Sequence, residues 1–145
     1  MLWLTFFEMV QKIQKFDRTE RELQEFLLFC IFTSGRIGKK SSEISRKLDL
    51  FLNDDLKYEI TPNKKNIRPF DWIELIASIK SNHGRDYLYL FLVEYGLLSN
   101  KRTLKCLREV TRLRKKLKEV TENDLESIHG IGKAIASFFI TNTRG

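Results

Sequence analysis

The sequence predicts an all-α fold: one domain over residues 1–145, built of about eight helices. Three observations carry this. Apolar residues recur at three- and four-residue intervals almost throughout, the period of a helix that buries one face. Where the period breaks, it breaks at glycine, asparagine and proline, the residues that stop helices. The stretch 121–140, TENDLESIHGIGKAIASFFI, sets Gly130 and Gly132 between a short helix with a capping signal and a second, apolar helix. At 145 residues and 42% hydrophobic, the chain can bury one core.

Taken in order, Leu2, Phe6, Met9, Val10 and Ile13 predict a first helix. That start lacks a basic n-region and meets Glu8 at once, so it reads as an amphipathic helix and not as a signal peptide. Asp17 is expected to open a second helix carrying Leu23, Phe26, Leu27, Cys30 and Ile31. A break at 34–38 (SGRIG) precedes a third, with Ile44, Leu48 and Phe51. Residues 53–68 hold Pro62 and several Asn and Lys residues, and Tyr58, Glu59 and Ile60 suit an extended segment. Pro69 fits the first turn of a helix continued by Trp72, Ile73, Ile76 and Ile79.

Asn82, His83 and Gly84 form the next break. Tyr87, Leu88, Leu90, Phe91, Val93 and Tyr95 then predict a central helix that ends at Gly96. A long basic helix is expected from Lys101 to Lys118, with Leu104, Leu107, Val110, Leu113 and Leu117 as its inward stripe, running straight into the C-terminal pair. Neither an internal repeat nor a low-complexity tract is present.

Charge points to the partner. The net charge is +7, and between Lys101 and Lys118 nine basic residues face a single acid, Glu109. That segment alone carries +8, more than the whole chain. Charge so localised is a footprint for a polyanion, and it makes binding sensitive to salt. The plainer alternative is a solvated helix face. No apolar run reaches the length of a bilayer span, so no membrane partner is expected. Cys30 and Cys106 each fall in an apolar stripe, as in a reduced cytoplasmic protein. His83 and His129 have no Cys/His cluster around them, so neither a metal nor another cofactor is expected.

Residues 121–141 have the pattern of a helix-hairpin-helix, a clamp on the DNA backbone. Gly130 and Gly132 let the chain turn tightly and approach a phosphate with no Cβ in the way. The N–H groups after Gly132 open the second helix and present its positive dipole end, and Lys133 adds a full charge there. Thr121 and Asp124 make a capping box for the first helix. Small Ala134 and Ala136 stand where helices pack closely. The plainer alternative is an ordinary αα-corner, since Gly-x-Gly also occurs in such turns. A clamp of this kind holds phosphates and reads no bases. The expected DNA contacts are His129, Gly130, Gly132, Lys133 and Ala134, with Lys101, Arg102 and Lys105 on the basic helix. Arg36, Lys39 and Lys40 in the 34–40 loop offer a second contact opposite the hairpin.

The order of parts resembles the helix-hairpin-helix DNA glycosylases, the endonuclease III and 8-oxoguanine glycosylase group, especially its compact archaeal branch. Residues 27–34 (LLFCIFTS) are similar to the core helix that ends at the loop flanking the base pocket. Residues 95–101 (YGLLSNK) look like the step into that family's lysine-rich helix. Residues 128–139 (IHGIGKAIASFF) are similar to its hairpin and following helix. The resemblance covers most of the chain from Glu22 onward, and only the hairpin is specific.

Departures from the family govern the expected function. Bifunctional members carry a Schiff-base lysine two residues after the second hairpin glycine; here that position is Ala134, and Lys133 comes one place early. One residue on a helix is a rotation of about 100°, which turns Lys133 toward phosphate or solvent. The family's catalytic aspartate lies beyond the hairpin helix, and no Asp or Glu follows Glu126 here. The hairpin proline is replaced by His129. No catalytic residue is therefore assigned. Asp54, Asp55, Asp71, Glu74 and Asp86 are the acids that a relocated mechanism would draw on, though helix starts favour acids in any case. Trp72 and Tyr58 adjoin loop sequence and are the candidates for stacking on a flipped base.

Three functions fit these residues. One is a sequence-nonspecific DNA-backbone binder on a glycosylase-like scaffold, linked to DNA repair. Another is an active DNA N-glycosylase with a relocated acid, or with its acid in a C-terminal segment beyond Gly145. The third is a protein-interaction module working through the hairpin, with a recombinase-arm-like domain as a relative of that reading.

Overall fold

The computed structural model describes residues 14–35, 38–60, 67–79, 87–97 and 101–144. Every regular element among them is helical, and no strand occurs among the described residues. In chain order the helices are α1 (Glu20–Thr33), α2 (Ser41–Leu52), α3 (Leu56–Ile60), α4 (Pro69–Ser78), α5 (Tyr87–Glu94), α6 (Lys101–Val110), α7 (Glu122–Glu126) and α8 (Lys133–Thr143). The expected helix at Leu2 to Ile13 and the break at Asn82, His83 and Gly84 lie outside the described residues.

α1 is the hub. It packs against α2, α4 and α8, and its run from Phe26 to Ile31 is buried on every side. Its start is set by Thr19 and not by Asp17: the Thr19 hydroxyl accepts from the Glu22 N–H, and the Glu22 carboxylate accepts from the Thr19 N–H. Two otherwise unpaired N–H groups at the helix start are thereby used. Asp17 stands outside this box, exposed. α1 ends at Ser34 and Gly35, with φ of 56° and 70°, where the Gly35 N–H bonds to the Cys30 carbonyl.

α4 begins as expected, with Pro69 at its first turn. Trp72, Ile73 and Ile76 are fully buried, and the Trp72 indole N–H bonds to the Phe51 carbonyl at 3.2 Å. Trp72 is thus a core residue that ties α4 to α2, and it has no face free for a base. α3 corrects the expectation of an extended segment at Tyr58, Glu59 and Ile60. Asp54 accepts from the Leu56 N–H through its side chain and so opens a helical turn that the local sequence did not advertise.

α5 is less central than its apolar density suggested. Leu88 and Leu92 are buried, while Val93 is 52% exposed. It does end at Gly96, whose φ of 70° lets the Leu97 N–H return to the Leu92 carbonyl.

The long basic helix is the largest correction. α6 stops at Val110, and residues 111–120 form a chain of turns. Further along, Leu117 is held out of a helix by partners far away in sequence. The Leu117 N–H bonds to the Glu20 carboxylate at 2.7 Å, and the Leu117 carbonyl accepts from the Arg144 guanidinium at 2.9 Å. Both backbone groups that a helix would need at Leu117 are used elsewhere. Leu117 and Val120 are still buried, so the apolar spacing survived without the helix. Arg112, Arg114, Lys116 and Lys118 project from this turn segment as exposed side chains.

Candidate nucleic-acid interface

The C-terminal pair is built from its cap outward. The Thr121 hydroxyl accepts from the Asp124 N–H at 3.1 Å, and the Asp124 carboxylate accepts from the Thr121 N–H at 2.9 Å. The Thr121 N–H, and then Lys115 at 2.9 Å, hold the Asp124 carboxyl below the usual carboxylate range. Leu125, Ile128 and Ile131 are buried and anchor α7 and the turn to the core. α7 and α8 pack against each other, and α8 packs on α1 through Ile135, Ala136 and Phe139.

The two glycines differ in why they are there. Gly130 has φ of +90°, which only glycine adopts without strain. A Cβ there would also stand 2.9 Å from the Cys106 Cβ and 3.4 Å from the Arg102 carbonyl. Gly130 is therefore required by packing on α6. Gly132 is not. Its φ of −89° and ψ of −176° suit any residue, and a Cβ there would have nothing within 4 Å.

Gly132 is the N-cap of α8 and supplies no side chain to accept from the first turn. The N–H groups of Lys133, Ala134 and Ile135 have no acceptor within the helix. Lys133 and Ala134 are exposed. The end of α1 lies against this same turn: a Cβ on Gly35 would be 2.9 Å from the Ala134 carbonyl. Of the loop expected opposite the hairpin, Gly35 is in contact with the start of α8.

Around the turn, Arg102 and Lys105 from the exposed side of α6 meet His129, Gly130 and Gly132. Glu109 joins them, its Oε1 accepting from the His129 N–H at 3.2 Å. On the other side, Arg102 and Thr103 face Ser34 and Ala134. Seven of the expected contacts (His129, Gly130, Gly132, Lys133, Ala134, Arg102, Lys105) thus lie in or around this one turn. Lys101 is exposed at the start of α6, and Lys39 is exposed in the turn before α2; neither borders these concavities. Arg36 lies outside the described residues. Ala134 borders the concavity and Lys133 does not, as the rotation between adjacent helical positions requires.

Sequence reasoning missed two partners of the turn: Glu109, counted only as a lone acid in a basic run, and Cys106 beneath Gly130. Each meets it across a long sequence separation.

The relocated acids are not gathered here. Asp54 accepts from the Leu56 N–H and from the Tyr95 hydroxyl, and burial followed by Asp54 pushes the Tyr95 phenol up. Asp55, Asp71 and Glu74 are exposed and border neither concavity. Asp86 and the Tyr58 side chain lie outside the described residues. Burial, then Glu109, pushes the Cys106 thiol up to about 12, and burial likewise raises Cys30. Both are core thiols. Among the described residues no three His, Cys, Asp or Glu side chains are placed to hold a metal, and no helix is long and apolar enough to cross a membrane.

A separate cavity of about 300 Å³ lies between α1 and α2, bordered by Arg18, Arg21, Glu25, Phe26, Asp49 and Lys57. Its cations serve the fold: Arg18 bonds to the Lys15 and Asn142 carbonyls, Arg21 to Ile67 and Lys57 to Leu52. Set against protein-family models, curated proteins and solved structures, the chain matches none.

Proposed function

We propose that this chain binds DNA through its phosphate backbone, without reading bases, and that α7, the turn and α8 form a helix-hairpin-helix clamp. The scaffold is a relative of the DNA glycosylases, and the setting is DNA repair inside the cell. Gly132 carries this reading. The fold uses Gly130 but has no need of glycine at 132, where the backbone is open and leads into the uncapped first turn of α8. A backbone left bare at the positive end of a helix is what an approaching phosphate requires. Arg102, Lys105 and Lys133 supply charge around it.

Catalysis by the glycosylase mechanism is not part of the proposal. Ala134 stands at the Schiff-base position, and Asp54 is bonded to Leu56 and Tyr95. The test is a titration of a labelled duplex at several salt concentrations. If Arg102 and Lys133 each neutralise one phosphate, log K should fall with log salt at a slope of about −1.8. Gly132→Val should weaken binding by about tenfold or more, because a side chain there holds the phosphate away from the amides. The same substitution should cost on the order of 1 kcal/mol of stability, since valine is a poor N-cap, and leave the protein folded at the temperature of the titration. A Gly132→Val protein that binds like the wild type would overturn the reading.

A further inference from the structure

Two concavities meet at the backbone of Gly130 and Gly132, and they differ in charge. One, of about 500 Å³, lies on the α6 side of the turn and is bordered by Arg102, Lys105, Glu109, Glu126 and His129. The other, of about 290 Å³, lies between the end of α1 and the start of α8, bordered by Ser34, Arg102, Thr103, Gly132 and Ala134. No carboxylate lines the second among the described residues.

In the first, the Glu109 Oε1 accepts from the His129 N–H at 3.2 Å. A carboxylate on a turn amide takes the place that a phosphate oxygen would take. Its charge faces the same space, and Glu126 adds another. Glu109 lies one and two turns beyond Lys105 and Arg102 on the same face of α6, so it offsets part of their field toward that side.

We propose that Glu109 is a positioning residue of the DNA interface. Its carboxylate, seated on the His129 amide, closes the α6 side of the turn to phosphate and confines the DNA backbone to the acid-free side, between Ser34 and Ala134. The proposal rests on the DNA-backbone reading above. It makes Glu109 a residue that gives up affinity in return for a single path of the strand.

The test compares Glu109→Gln, Glu109→Ala and Glu109→Lys in the full chain, with Gly132→Val alongside, by titration of one labelled duplex over a salt series. Glutamine keeps the acceptor for His129 and removes the charge, so binding should tighten by about fivefold. Lysine should add a contact on the opened side and steepen the salt slope by about one phosphate's worth. A purely structural role predicts otherwise: Glu109→Gln like the wild type, and Glu109→Ala weaker in both binding and thermal midpoint. That pattern overturns the proposal. If Gly132→Val loses binding while all three Glu109 variants keep the wild-type affinity and slope, Glu109 has no positioning role and the DNA reading stands. If the wild type shows no salt-dependent binding, both fall.

Discussion

Gly130 rests so closely on Cys106 that a side chain has no room: a Cβ at Gly130 would lie 2.9 Å from the Cys106 Cβ. This contact seats the turn on α6 and brings Arg102 and Lys105 to the backbone of Gly132. The turn and the basic face of α6 are therefore one surface, though they are separate in sequence.

Gly130→Ala should destabilise the protein by about 2 kcal/mol, combining a positive φ with a contact against backbone and Cβ atoms that cannot swing aside. Urea unfolding followed by circular dichroism measures this. A loss near zero would mean that the turn is not seated on Cys106.

Ser34→Gly should act in the opposite direction. Ser34 holds φ of 56° at the end of α1, a conformation that costs a non-glycine residue about 1 kcal/mol. Because glycine also gains freedom in the unfolded chain, the net stabilisation should be about 0.5 kcal/mol. A raised urea midpoint at unchanged slope is the expected observation.

Glu22 gives the protein a pH dependence with a defined sign. The Lys15 ammonium, and then the Thr19 N–H, lower its carboxyl to about 2 from the ordinary 4.5. A depressed carboxyl stabilises the fold above its unfolded value, and that contribution is lost as pH falls through the folded one. Wild type and Glu22→Gln should therefore differ most in thermal midpoint above pH 4.5 and converge toward pH 2. A difference that persists at low pH would mean that the Glu22 charge plays no part.

The two thiols should be inert in the folded state. Burial, then the Glu109 charge, holds the Cys106 thiol at about 12, and burial keeps Cys30 protonated as well. Alkylation at pH 8 should be slow in buffer and fast in urea. Rapid labelling of Cys106 in buffer would mean that the turn lifts readily from α6.

What was legible in the sequence was local. The Thr121 and Asp124 capping box, Pro69 at the start of α4 and Gly96 at the end of α5 each depend on chemistry within a few residues. What was not legible depended on distant partners. The segment after α6 is not helical at Leu117, whose backbone Glu20 and Arg144 claim, and i+3 and i+4 spacing cannot reveal that. The helical turn at α3 follows from the Asp54 side chain. Within the candidate site, Gly130, Gly132, Lys133 and Arg102 were readable from residue type. The Glu109 bond to His129 and the contact of Gly35 with Ala134 were not, because only the folded chain brings them together.

The most direct test of the clamp is residue-resolved. Backbone amide shifts of the labelled protein, followed by nuclear magnetic resonance as a short DNA duplex is added at low salt, show where the phosphate sits. The expected result is that the largest changes fall at Gly132, Lys133 and Ala134, weaken with added salt, and leave Glu25 and Lys57 in the separate cavity unmoved. Changes that gather elsewhere while these three amides stay still would contradict DNA binding through this turn.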